Sequence, residues 1–229
     1  DEAMMDFLNS LMPNLMENFP EFLKAIQETM IMLSVSGLVS FFFGTAFGVL
    51  LIVTRRGGIL ENKLIYGVFA KVIDFFRSIP FIILVAFIDP LTRMLAGTSI
   101  GVKGALVPLI VGTIPYFARQ IESALAEVDH GLIEASQAMG SSPWEIITRV
   151  YLRESIPAII RASTITLISL LGFITMVGSI GGGGIGDFAI RRGYNSFNHD
   201  ITNASVIVLL IITVIIQGVG NYLIKKKIH

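Results

Sequence analysis

Three stretches of this chain run without a charged side chain for long enough to cross a lipid bilayer: residues 31–53, 162–180 and 201–224. A helix rises about 1.5 Å per residue through hydrocarbon about 30 Å thick, so roughly 20 apolar residues suffice. Arg55 and Arg56 close the first run, and Lys225, Lys226 and Lys227 close the last. The remaining residues could not cover a water-facing surface. Of 229 residues, 53% are hydrophobic and only 15% charged, with a mean hydropathy of +0.75; an ordinary soluble chain is roughly a quarter charged. The chain is expected to be an all-α integral membrane protein.

Two further spans are expected. Residues 64–88 are apolar but carry Lys71, Asp74 and Arg77, with Pro80 after them. Residues 104–118 are uncharged but short and hold Pro108 and Pro115; with their flanks, 99–124, they are long enough to cross. Five transmembrane helices place the two termini on opposite sides. The basic residues after the first and last spans belong in the cytoplasm by the positive-inside rule. The N-terminus, with Asp1, Glu2 and Asp6, then faces outside, the C-terminus is cytoplasmic, and the connection 121–157 lies in the cytoplasm.

Ahead of the first span, Met4, Phe7, Leu8, Leu11, Met12, Leu15, Met16 and Phe19 repeat at helical spacing. The pattern predicts an interfacial amphipathic helix on the outer face over residues 1–20, kinked near Pro13, before a five-span domain over 21–229. Lys71, Asp74 and Arg77 share one side of a helix. They read either as an ion relay inside the membrane or, the favoured reading, as an interfacial cluster at the cytoplasmic end, with Arg77 snorkelling. Gly37, Gly44 and Gly48, and the pair Gly178 and Gly182, give small faces suited to close helix packing.

Several chemistries are disfavoured. Lys+Arg and Asp+Glu are both 17, which leaves no electrostatic footprint for nucleic acid. There is no cysteine, and His130, His199 and His229 never pair at ligand spacing, so no metal site is expected. No nucleophile–base–orienter set is present. Gly181 to Gly186 is glycine-rich but lacks the Gly-Lys-Ser/Thr of a phosphate loop; it is expected to be a flexible or closely packed turn.

The connection 121–157 is the most informative stretch. Leu132, Ile133, Ser136 and Met139 are expected on one face of a short helix starting near Asp129, with Gly140 stopping it in a left-handed conformation. Ser142-Pro143-Trp144-Glu145 then starts another helix: Ser142 as N-cap, Pro143 in the first turn, Glu145 completing a capping box. Glu145 and Arg149 are spaced for an ion pair. Two short helices with a sharp bend make an apolar knob that calls for a groove on a partner.

Glu134-Ala135-Ser136, Gly140 four residues after Ser136, and Val150-Tyr151-Leu152 resemble the EAA signature of permease subunits of type I ABC importers. A wider set resembles the methionine-importer permeases of bacteria: Phe76 to Ile83, Gly97 to Gly101, Gly131 to Gly140, Ala162 to Ile168 and Gly182 to Gly186. The family signature usually ends in Ile-x-Leu-Pro, whereas Val150 and Arg153 stand here at its first and last positions, which moves the expected helix break to Pro157.

The resemblance implies that the bent segment is a coupling helix docked on a cytosolic ATPase, with Glu134, Ala135, Ser136, Met139 and Gly140 as its contacts. It implies a homodimer with ten spans in the bacterial plasma (inner) membrane, two ATPase subunits that carry the ATP and Mg, and an extracytoplasmic methionine-binding lipoprotein. The chain itself would bind no cofactor and hydrolyse nothing. Ser169, Thr175, Met176 and Ser179 at the end of the fourth span are candidate pathway residues, although Met176 serves equally well as packing filler. The alternatives are a permease for another small amino acid, an ion-coupled secondary transporter using Lys71, Asp74 and Arg77, and a membrane scaffold.

Overall fold

The structure is a computed structural model that describes residues 11–228. Every regular element among them is helical. In chain order these are α1 (Pro13–Glu17), α2 (Phe19–Thr54), α3 (Lys63–Ser78), α4 (Phe81–Phe87), α5 (Asp89–Ala96), α6 (Gly101–Ala126), α7 (His130–Ala138) and α8 (Pro143–Glu145). A wide π-helical stretch (Ile146–Tyr151) leads to α9 (Leu152–Glu154) and α10 (Ile156–Val177). A kinked turn (Gly178–Gly182) precedes α11 (Gly184–Phe188), and a second π-helical stretch (Ala189–Tyr194) precedes α12 (His199–Ile228).

Four of these helices are long and apolar enough to cross a membrane: α2, α6, α10 with its continuation to Gly182, and α12. The expected second span, 64–88, is not a fifth such helix. It is broken into α3 and α4, with Ile79 extended at ψ 124°. The cause is Pro80, which has no N–H and drives the residue before it out of the helical region. Pro108 and Pro115 do not have that effect in α6, which runs on for 26 residues.

Helix α2 is 36 residues long and starts well before the uncharged run at 31–53. Its first turns hold Glu21, Lys24 and Glu28, which a water-facing or partnered helix end accommodates. Of the interfacial helix expected over 1–20, Met4, Phe7 and Leu8 lie outside the described residues. The described part forms α1 with Pro13 in its first turn, and Phe19 already belongs to α2.

The chain divides into two compact units. The first comprises the chain up to Gly37, Phe81–Leu109 and Ile168–Ile215; the second comprises Leu38–Pro80, Ile110–Leu167 and the chain from Ile216. In the first unit the Asp200 carboxylate accepts from the Asn14 and Leu15 backbone N–H groups at 2.9 and 3.1 Å, satisfying donors that a helix start leaves free. In the second unit Ile52, Val53, Phe117, Ile121, Leu125, Ile133, Ile146, Tyr151 and Ala162 form one buried cluster.

Gly44 and Gly48 set how closely α2 and α6 approach in the second unit. A Cβ on Gly44 would lie 2.6 Å from the Phe117 ring, and one on Gly48 would lie 2.5 Å from Ile121 and 2.9 Å from the Ala118 carbonyl. Lipid tails are as apolar as Leu, so association of such helices rests on this close packing rather than on a hydrophobic drive. Overpacking of this kind costs roughly 1–3 kcal/mol. Gly48→Val is therefore expected to lower the Tm of the detergent-solubilised protein by about 5 °C, read by intrinsic fluorescence; an unchanged Tm would show that the contact yields freely.

Candidate functional site

The segment between α6 and α10 is built as two short helices about a fixed bend. Asp129 starts α7 by accepting the Gly131 N–H on its carboxylate at 2.7 Å. The helix ends on Gly140, at φ +81°. There the Gly140 N–H donates to the Gln137 carbonyl (2.9 Å) and the Ser141 N–H to the Ser136 carbonyl (3.1 Å). These two bonds are the paired closure of a Schellman motif, which needs a residue at ease in the left-handed region.

The next helix starts at once. The Ser142 backbone N–H and hydroxyl both donate to Glu145 Oε2 at 2.9 Å, and the Glu145 N–H reaches back to Ser142 Oγ at 3.4 Å. This is the expected capping box with Pro143 in the first turn. The Ser142 backbone N–H, then its hydroxyl, hold the Glu145 carboxyl below its ordinary value against the opposing effect of burial, and the Arg149 charge 3.5 Å away adds to the lowering. A lowered carboxyl pKa gives stabilisation that is present at neutral pH and lost as pH falls through the folded-state value.

The two faces of α7 do different things. Ile133 and Ser136 are buried, at 5% and 7% exposure, and Ile133 packs in the cluster with Ile146 and Tyr151. Leu132, Glu134, Ala135 and Met139 are exposed, with Met139 at 78% and Trp144 of α8 at 72%. The expected single apolar face is thus split. Leu132 and Met139, seven residues apart, point away from the core, whereas Ile133 and Ser136 anchor the helix to it. Of the five expected contact residues, Ser136 is turned inward, and Glu134, Ala135, Met139 and Gly140 are left outside. Trp144 was not among the expected contacts, although a tryptophan directly after a capping Ser-Pro is a readable signal. The break beyond it falls at Ser155, where α9 ends; Pro157 sits in the first turn of α10, and the Ser155 hydroxyl donates to the Ala124 carbonyl at 3.3 Å.

On α10, Met176 is exposed and Ser169 and Thr175 are half-buried, while Ser179 is exposed in the turn that follows. The Thr175 and Ser179 hydroxyls donate to their own helix, at the Leu171 and Met176 carbonyls. Met176 is therefore the one apolar side chain of the four that is presented outward. In the first unit, two grooves of about 390 and 320 Å³ lie against the turn that follows. The larger is lined by Asp89, Arg93, Ser99, Pro108 and Ile180, among others; the smaller by Glu21, Lys24, Glu28, Asp187 and Arg191 with the glycines. None of the four expected pathway residues lines either groove.

The glycine stretch is closely packed rather than open. A side chain on Gly186 would run into the Thr175 backbone, and one on Gly178 would lie 2.7 Å from the Asp187 nitrogen. Two residues of α2 that sequence reasoning missed hold it: Glu28 Oε2 accepts the Gly184 N–H at 2.8 Å and Thr29 Oγ1 the Ile185 N–H at 2.9 Å. Also missed was Arg119 of α6, which donates to Asp74 Oδ2 at 2.7 Å and to Glu122 Oε2 at 2.6 Å. Asp74 is engaged in addition by Arg77 at 3.5 Å, while Lys71 is exposed. Asp74 and Arg77 of the charged trio thus belong to an ion-pair network joining α3 to α6.

Over residues 44–226 the chain matches the family described as binding-protein-dependent transport system inner membrane component. It is 42% identical over 207 residues, 90% of this chain and 92% of the relative, to the probable D-methionine transport system permease protein MetI of Vibrio cholerae. It is 43% identical over 172 residues, 75% of this chain and 78% of the relative, to the methionine import system permease protein MetP of Bacillus subtilis. Among solved structures it is similar to a chain of the MetNI methionine ABC transporter in an inward-facing conformation. That match has a TM-score of 0.90 and 41% identity, and covers 92% of this chain and 98% of the other.

Proposed function

Because this chain belongs to the family of binding-protein-dependent transport system inner membrane components, we propose that it is the permease subunit of an ABC importer for methionine, a multi-pass protein of the bacterial inner membrane. The observation that carries this reading is the likeness to methionine permeases over 90% of the chain at 42% identity. In the working assembly two copies form the pathway. A partner ATPase supplies ATP binding and hydrolysis, and an extracytoplasmic methionine-binding protein delivers the cargo. The broken helix pair α3 and α4 acts as the fifth span, with Lys71, Asp74 and Arg77 at its cytoplasmic end.

Each element then has a task. The bend at Gly140 presents Met139 and Trp144 as the apolar tip of a coupling knob, with Glu134 and Ala135 beside it. Burial of Ile133 and Ser136 makes the knob rigid, so a push on the tip moves the unit to which it is anchored. Met176 presents an unbranched, polarisable side chain at the end of α10, suited to contact with a thioether cargo without tight binding. Alternation between inward-open and outward-open states follows the ATPase cycle as a population shift between two packings.

The test is uptake of labelled methionine into proteoliposomes holding this chain, its ATPase and its binding protein. ATP-dependent accumulation is expected, and uptake driven by an ion gradient without ATPase would overturn the reading. In the same assembly, Met139→Asp is expected to weaken capture of the ATPase by about 30-fold, the loss of one apolar hot spot of about 2 kcal/mol. Capture at full strength would remove the knob from the interface.

A further inference from the structure

Helix α11 begins at Gly184, and its N-cap residue, Gly183, has no side chain with which to cap it. The first amides of a helix have no partner within it and need an acceptor from elsewhere. Here both acceptors come from α2, 156 residues away in sequence. Glu28 Oε2 takes the Gly184 N–H, and Thr29 Oγ1 takes the Ile185 N–H. The Thr29 hydroxyl is fully used, since its own proton goes to the Ala25 carbonyl at 3.0 Å, and Thr29 is only 1% exposed.

The turn is shaped to receive these two side chains. Gly183 and Gly184 sit at φ +81° and +76°. A Cβ on Gly183 would lie 2.8 Å from the Glu28 carboxylate, and one on Gly184 would lie 2.8 Å from both the Thr29 hydroxyl and Met32. The other end of the turn is fixed to α10: a Cβ on Gly186 would run into the Thr175 backbone, and one on Gly178 would lie 2.7 Å from the Asp187 nitrogen and 3.0 Å from Gly186 Cα. Met176 stands on the last turn of α10, two residues before Gly178.

We propose that Glu28 and Thr29 are positioning residues for transport: by capping α11 from α2 they fix the glycine turn and, through it, the Met176-bearing end of α10. Neither touches cargo in this role. The part played by Met176 rests on the permease reading above; the cap itself does not.

Two measurements on the purified complex with its ATPase separate these layers. Hydrogen exchange read by mass spectrometry over residues 181–188 reports the cap alone. Glu28→Ala and Thr29→Val are expected to speed exchange there about tenfold, the change that follows from losing about 1.4 kcal/mol of capping. Glu28→Gln keeps an acceptor oxygen and is expected to stay near the unaltered rate. The second measurement, on the same complex in proteoliposomes with its binding protein, is methionine moved per ATP hydrolysed, which is expected to fall about tenfold in Glu28→Ala and Thr29→Val and to be rescued in Glu28→Gln. Unchanged exchange in the alanine and valine variants overturns the cap, as does a glutamine variant as fast as alanine. Faster exchange with an unchanged methionine-to-ATP ratio overturns the positioning role. If the unaltered complex moves no methionine, the permease reading fails and the positioning role fails with it, while the exchange data still report the cap.

Discussion

A chain carrying Gly140→Leu is expected to fold and insert normally yet to drive methionine uptake about tenfold more slowly. Gly140 stands at φ +81° with open space around the position a Cβ would take. No clash opposes the larger residue, so the penalty is conformational, roughly 1–2 kcal/mol for a left-handed L-residue. The two bonds that close α7, to the carbonyls of Gln137 and Ser136, require that conformation. If the strained residue relaxes, the bend opens, and Met139 and Trp144 no longer share one tip. A graded series separates this from a packing effect. Asn tolerates the left-handed region and is expected to retain most uptake, Ala less, and Val least. Equal uptake across the series, measured alongside an unchanged Tm, would show that the bend is not what couples the segment to its engine.

Much of this architecture was legible in the sequence, for physical reasons that also explain the misses. Hydropathy marks where lipid contact begins, so the runs 162–180 and 201–224 fall inside α10 with its continuation and inside α12. It does not mark where a helix begins. Helix α2 starts at Phe19 because Glu21 finds Arg191 and Arg192 at 2.6 and 3.0 Å, and Glu28 finds the Gly184 N–H at the start of α11. Those partners lie more than 150 residues away, beyond the reach of any local pattern. The caps at Asp129, Gly140 and Ser142 were readable because their chemistry is local to four or five residues. The face of α7 was not. Leu132 and Met139 are as apolar as Ile133, and periodicity cannot say which of two apolar stripes belongs to the core and which is left exposed. Pro80 broke a helix and Pro108 and Pro115 did not, a distinction that depends on tertiary context rather than on the residue itself.

The same long-range pairing makes Arg119 the side chain whose loss is expected to harm stability most. It is 18% exposed and lies against Glu122, itself 13% exposed, at 2.6 Å, with further bonds to both oxygens of Asp74 and to the Ala70 carbonyl. Tyr66 donates to the second Glu122 oxygen at 3.3 Å. Removing one partner of a buried pair strands the other, at a cost of about 3–5 kcal/mol. Here the stranded group is Glu122, placed one residue after Ile121 of the buried cluster. The bond to Asp74 adds less, because that carboxylate is 56% exposed and water screens it. Arg119→Met is therefore expected to lower the Tm by about 10 °C. Arg119→Lys is expected to recover little, since an ammonium cannot reach Asp74, Glu122 and the Ala70 carbonyl in one planar geometry. Adding Glu122→Gln to Arg119→Met removes the stranded charge and is expected to restore part of the loss. A double variant no more stable than Arg119→Met alone would show that the network acts through Asp74 and the joining of α3 to α6, and not through compensation of a buried carboxylate.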